Sequence, residues 1–120
     1  MSDFVEFLEE VFADFGPITT RRMFGAHGIY QDGLMFGLLA QGRLYLKTDA
    51  VNLPEFEAVH SEPFTFEQRG KPVKLSYWRA PDFILDDREQ AAAWAHSAFA
   101  AAMRAQEAKE RHAEPPWRRK

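Results

Sequence analysis

The side chains in this 120-residue chain that could build a catalytic or metal centre are His27, His60, His96 and His112, Ser76 and Ser97, and the carboxylates of Asp86, Asp87 and Glu89. The histidines lie far apart, and none has a second His four residues on, the spacing that sets two ligands on one helix face. A metal site would need them to converge in space with carboxylates; the simpler expectation is loop or solvent-facing histidines. Gly25 and Gly28 bracket Ala26-His27, which reads as a tight turn more readily than as a backbone-lined pocket. Neither serine sits in a G-x-S-x-G elbow with a histidine in a triad arrangement. The glycines match neither G-x-x-x-x-G-K-[ST] nor G-x-G-x-x-G, so no phosphate-cradling loop is visible. Asp86, Asp87 and Glu89 fall at a helix start, where carboxylates serve as caps. There is no cysteine, hence no thiol chemistry and no disulfide, in keeping with a reducing compartment. No catalytic, cofactor-binding or metal-binding residue is assigned, no cofactor is expected, and the protein is expected not to be an enzyme.

The basic residues make a different kind of candidate. Arg21 and Arg22 are adjacent, and Lys71, Lys74 and Arg79 flank Trp78. A base stacked on Trp78 with phosphates on these cations would be single-strand recognition. The bland alternative is the polar face of a strand pair. The formal net charge of −3 argues against a general nucleic-acid binder. That charge is uneven: residues 1–15 carry five acidic side chains and no basic one, while residues 104–120 carry six basic against three acidic. The acidic start and basic end have the signs to pair between two copies, and the tail has the sign to meet phosphates, but a solvated terminus is the simplest reading.

Positioning any of these residues requires a fold, and the length suits one domain with its own core. Hydrophobic residues make up 46% and charged residues 28%, ordinary values for a soluble protein, and eleven phenylalanines supply core volume. The acidic MSDFVEFLEE start and the lack of a long apolar run speak against a signal peptide or membrane span, so a cytoplasmic protein is expected.

Phe4, Val5, Phe7, Leu8, Val11, Phe12 and Phe15 recur at three- and four-residue steps and predict an amphipathic first helix, with Asp3 and Glu6 at capping-box spacing and Gly16-Pro17 as its stop. Ile18 to Phe24 reads as a strand or an extended lead-in. Ile29 to Gln31, Leu34 to Ala40 and Arg43 to Lys47 read as strands joined by turns at Asp32-Gly33 and Gln41-Gly42. Alternation puts Leu34, Phe36, Leu38 and Ala40 on one face of the central strand and Met35, Gly37 and Leu39 on the other; Leu44 and Leu46 point inward. A short helix follows, with Asn52 as cap, Pro54 in its first turn, and Phe56 and Val59 docking it. A second hairpin, Phe64 to Arg69 and Val73 to Trp78, turns at Gly70-Lys71-Pro72. Phe64, Phe66, Val73, Leu75 and Tyr77 are expected to face inward and Trp78 outward.

Ala80-Pro81 ends that strand, Phe83-Ile84-Leu85 forms an apolar clip, and Asp86 with Glu89 caps a last helix running to about Lys109. Its stripe of Ala91 or Ala92, Ala95, Ala98, Phe99, Ala102 and Met103 permits close approach to a sheet. Residues 1–110 form the domain, and 111–120 are expected to be a basic, disordered tail. The expected class is α+β, an antiparallel sheet with helices, in the order α-β-β-β-α-β-β-α.

RRMFGAHGIYQDGLMFGLLAQGRLYLK, SEPFTFEQRGKPVKLSYWRAPDFILDD and the spacing between them resemble the N-terminal domain of the TfoX (Sxy) family of bacterial competence regulators, over about residues 10–108. The resemblance implies a fold similar to the secretion-chaperone-like α+β group. It also implies a cytoplasmic bacterial protein that influences transcription without an established catalytic activity. It transfers no catalytic residue, only structural positions: Gly25, Gly28, Gly33, Gly37, Gly70, Pro72 and Pro81. Full-length competence regulators carry a second, helical domain; here EPPWRRK alone follows the last helix, so a stand-alone form of the domain is expected.

The function expected on these grounds is a non-enzymatic protein-interaction module, an accessory regulatory factor. Its partner is an unnamed protein or a second copy in a homodimer, with no membrane contact. The candidate partner-binding residues are Lys74, Trp78, Arg79, Arg21 and Arg22, with Trp78 placed beside Tyr45, Met35 and Leu39 on a sheet face turned away from the helices. The alternative is a direct nucleic-acid binder using Arg21, Arg22, Lys71, Lys74, Arg79 and the basic tail.

Overall fold

Phenylalanine and valine at helical spacing form α1 (Asp3–Val11), which with the turn after it buries Val5, Leu8, Val11, Phe12 and Phe15. A computed structural model describes residues 3–23 and 25–113, the last two by their backbone alone. Gly16, at φ 131°, carries the chain out of the helix while its N–H donates to the Phe12 carbonyl at 3.0 Å. Six antiparallel strands follow: β1 (Thr19–Met23), β2 (Ala26–Gln31), β3 (Leu34–Ala40), β4 (Arg43–Lys47), β5 (Pro63–Gln68) and β6 (Lys71–Arg79). They lie in the order β1-β2-β3-β4-β6-β5. α2 (Leu53–Ala58) separates β4 from β5, and a short 3-10 helix (Asp82–Asp86) leads into α3 (Arg88–Ala113). The class is α+β, as the sequence predicts, with four strands before α2 where the predicted order has three. The difference is β1, which pairs with β2 along its full length and is no mere lead-in.

Three hairpins turn on the same device, two successive residues at positive φ: Asp32-Gly33 (52°, 78°), Gln41-Gly42 (54°, 73°) and Arg69-Gly70 (56°, 77°). The last begins one residue earlier than Gly70-Lys71-Pro72 suggests, and Lys71 and Pro72 belong to β6.

α1, the 3-10 helix and α3 cover one face of the sheet. Ile29, Phe36, Leu39, Leu44 and Leu46 meet them there, and rings interlock: Phe15–Phe36 at 5.0 Å, Phe12–Phe36 at 5.8 Å and Phe15–Phe99 at 6.0 Å between centroids. The buried Ala91, Ala95, Ala98 and Ala102 let α3 lie close to β3 and β4. Met103, which helical spacing adds to this stripe, is instead 46% exposed.

Strict alternation fails inside β3. Gly37 pairs with Ile29 and Met35 with Tyr30, which leaves Phe36 as the extra residue of a bulge. Parity reverses there, so Phe36 and Leu39 share the helix-covered face while Leu38 and Ala40 turn to the other side, the opposite of what an unbroken strand predicts. β6 also lies the other way round from the expectation. Trp78 pairs with Leu46 and packs partly buried on the helix-covered core, whereas Tyr77 and Phe64 join Leu38, Ala40 and Tyr45 in a second cluster on the far face.

Caps differ in detail from the sequence reading. Asn52 stands at the N-cap of α2 but makes no side-chain cap bond. Only 2% exposed, it accepts from the Asp49 N–H and donates to the Lys47 and Ser97 carbonyls, tying β4 to α3. Val59 is exposed, leaving Phe56 to dock α2. α3 is capped by Asp87, not Asp86: its carboxylate accepts the Gln90 N–H at 3.2 Å. α3 continues to Ala113, so Arg111 is helical; residues 114–120 of the expected tail lie outside the described residues. No described helix is long and apolar enough to cross a membrane.

Candidate functional site

Among the described residues no three His, Asp or Glu side chains are placed to hold a metal ion. His27 pairs with Leu39 and so faces the helix side, and His96 stacks edge-on against Phe15 at 5.0 Å. Asp87 is committed to its cap.

The sheet face opposite the helices is lined by aromatic and basic side chains. Its geometry follows from the ladder. Arg21 pairs with Gly28, Gly28 with Leu38, Leu38 with Tyr45 and Tyr45 with Arg79, so one row crosses five strands with a guanidinium at each end. Beside it, Tyr45 meets Phe64 edge-on at 5.0 Å, and Phe64 stacks on Phe66 at 6.5 Å and 23°. On the neighbouring row Tyr30 pairs with Met35, and Lys47 with Tyr77. Arg21 lies 5.7 Å over the Tyr30 ring and the Lys47 ammonium 5.2 Å over the Tyr77 ring. Lys47 also donates to the Ser76 hydroxyl at 2.6 Å.

Gly28 keeps this face low. A Cβ there would lie 3.0 Å from the Met35 sulfur and 3.0 Å from a Tyr30 ring carbon, so both side chains rest over bare backbone. At one margin Met35, Lys47 and Tyr77 meet the end of α3, at Ala105, Gln106 and Lys109, around an open cleft of about 290 Å³.

The strands put charge of one sign on this face. Arg43, which pairs with Ala40, and Lys71, two residues before Val73, point the same way as Arg21, Lys47 and Arg79. Within the six strands the one carboxylate is Glu67, which alternates to the other side from Phe66. Outside the strands, Asp82, 3.6 Å from Arg79, and Glu62, which accepts the Arg79 N–H at its carbonyl, line one cleft beside that end of the row. Burial pushes the Lys47 ammonium below its ordinary value; nearby Asp49 opposes the shift and Lys109 adds to it. Burial, with Tyr30 adding, pushes the Tyr77 phenol up to about 12.

The five candidate residues read from the sequence therefore divide. Arg21 and Arg79 lie on the open face. Arg22, which pairs with His27, and Lys74 and Trp78 lie on the helix side. Leu39 also leaves the patch in which the sequence placed it with Trp78, while Tyr45 and Met35 stay. Lys47, Arg43, Tyr77, Phe64 and Phe66 take the vacated places. Two of these were within reach of sequence reasoning: if Leu44 and Leu46 point inward, Arg43 and Lys47 must point out.

The family model of the TfoX N-terminal domain matches residues 10–102. That family is linked to competence regulation and has no known catalytic activity. No curated protein matches the chain.

Proposed function

We infer that this chain, which belongs to the TfoX N-terminal domain family, is a non-catalytic accessory regulatory factor whose working surface is the sheet face opposite the helices. One observation carries the reading. That face holds Tyr45 against Phe64, Phe64 against Phe66, Tyr77 packed on the Leu38, Ala40 and Tyr45 cluster, and Arg21 and Lys47 over rings, yet among the described residues no helix packs against its centre. A sheet with one face on the core and the other lined by half-buried rings and cations over a buried Leu38, Ala40 and Tyr45 centre, with Phe66 39% exposed, is suited to receive a partner. The helix-covered face, by contrast, is filled by interlocked phenylalanines and alanines, which explains its composition through packing alone.

The test is complementation in the cell of origin. In a strain lacking the endogenous gene, the parent chain is expected to restore the transcript profile, and a triple variant of the open face, Arg21→Gln, Phe66→Ala and Arg79→Gln, is expected not to, at equal protein abundance. Full restoration by the triple variant would sink the reading.

A further inference from the structure

We propose that the open sheet face is a platform for single-stranded nucleic acid, bases stacking on its rings and phosphates meeting its cations. The proposal rests on the reading that this face is the working surface, and it names the occupant.

Charge selects among the candidates. Arg21, Arg43, Lys47, Lys71 and Arg79 share the face, and no strand adds a carboxylate to it. Two copies docked through this face would bring like charges together, so the pattern opposes a face-to-face homodimer and favours a polyanion. The net charge of −3 does not conflict with this. Asp3, Glu6, Glu9, Glu10 and Asp14 account for it, and they sit on and just after α1, across the sheet.

Ring geometry selects the kind of polyanion. Tyr45, 7% exposed, backs Phe64 from below, Phe64 stacks on Phe66, and Phe66, 39% exposed, offers its ring to solvent, so Phe66 and the half-buried Phe64 are the rings a base can reach. Arg21 over Tyr30 and Lys47 over Tyr77 place a cation beside an aromatic surface twice more. Alternating aromatic and cationic groups on a flat sheet suit splayed bases joined by phosphates, because every base has a face to stack while the backbone runs past the cations. Gly28 removes the side chain that would interrupt the row between Arg21 and Leu38. Paired and stacked bases in a duplex offer these rings no free faces, whereas the splayed bases of a single strand do.

The test is fluorescence anisotropy with a fluorescein-labelled 20-nucleotide oligo(dT) and an oligo(U) of equal length, across a salt series. Binding is expected at low salt, with a log–log slope corresponding to about 0.7 per phosphate contact. Arg21→Gln and Arg79→Gln should each flatten that slope by roughly 0.7. Phe66→Ala should weaken binding about 5- to 10-fold with the slope unchanged. Arg22→Gln, on the other face, should change neither affinity nor slope beyond a small uniform loss. A duplex of the same length should compete poorly. Absence of binding at low salt, equal effects of Arg22→Gln and Arg21→Gln, or tighter binding of the duplex would each overturn the proposal. So would light scattering that shows a dimer dissociated by Phe66→Ala, since a second copy would then occupy the face. If purified protein fails to bind oligonucleotide while the triple variant still fails in the cell, the platform is refuted and the working surface stands.

Discussion

Trp78 stands directly opposite Leu46 in the β4–β6 ladder, and this pairing decides which side of the sheet every residue of β6 faces. Leu46 is fully buried under the helices, so Trp78 shares their core and Tyr77 and Arg79 turn to the open side. Trp78→Ala is therefore expected to act on stability and not on any surface contact. Since the indole is only partly buried, the loss should be roughly 2–3 kcal/mol, below the range for fully enclosed aromatics. Thermal unfolding checks it: a melting temperature lowered by about 10 °C is expected, and an unchanged one would mean the ring carries no core packing.

Arg104 and Asp49 form a two-pronged pair, Nε to Oδ2 at 2.5 Å and Nη2 to Oδ1 at 2.9 Å, which ties the loop after β4 to the last third of α3. Asp49 also accepts the Val51 and Asn52 N–H groups. The Arg104 hydrogen bond, with these backbone donors, holds its carboxyl below the ordinary value. A depressed acid contributes stability above its unfolded pKa and loses it as pH falls through the folded one. Asp49→Ala should cost roughly 1 kcal/mol at neutral pH, the size of a lost cap, and that difference from the parent should vanish at acid pH. Denaturant unfolding at pH 7 and at pH 2–3 measures it. A pH-independent difference would contradict the assignment.

Tyr77 should be the tyrosine that resists alkali. Its phenol is pushed up to about 12 by burial, so the folded state holds its proton where the unfolded chain releases it near 10. The associated stability is complete below pH 10 and is lost as pH rises toward 12. Tyr77→Phe removes this dependence. Spectrophotometric titration at 295 nm should show a late-titrating phenol in the parent that is missing from the variant, and its survival in Tyr77→Phe would show that another tyrosine is responsible.

The elements of this fold can be read from the sequence because local signals announce them. Asp32-Gly33 and Gln41-Gly42 can be turned cheaply only one way, and the α1 stripe repeats at helical spacing. Face assignment is harder because it needs an origin. Phe64, Phe66, Val73, Leu75 and Tyr77 do share one face, as alternation requires, but alternation does not say which face lies under the helices. That is settled by the neighbour of β6, which is β4 across a crossover through α2, a tertiary fact with no local signature. The bulge at Phe36 is equally silent: LMFGLLA is apolar on both sides, so no polar residue marks the reversal of parity. The candidate site inherits both ambiguities, which is why Arg21 and Arg79 can be found from sequence and Lys47 follows from the inward Leu44 and Leu46, while Tyr77 is assigned to the wrong side.

Two glycines in adjacent strands offer a final contrast. Gly37 faces the helix side, and a Cβ there would meet the Tyr45 carbonyl oxygen at 3.3 Å, backbone that cannot move without disturbing the β3–β4 ladder. Gly28 faces the open side, where a Cβ would meet the ends of the Met35 and Tyr30 side chains, which are free to swing toward solvent. Gly37→Ala should therefore destabilise by roughly 1–3 kcal/mol, as overpacking does. Gly28→Ala should leave stability within about 1 kcal/mol of the parent, partly because alanine narrows the unfolded ensemble. Its effect falls instead on the surface: with Met35 and Tyr30 displaced, the row from Arg21 to Arg79 is no longer flat, and oligo(dT) affinity should drop several-fold while the fold persists. Chemical denaturation and anisotropy on the two variants separate these outcomes. If Gly28→Ala binds as the parent does, the flatness of that row is irrelevant to recognition.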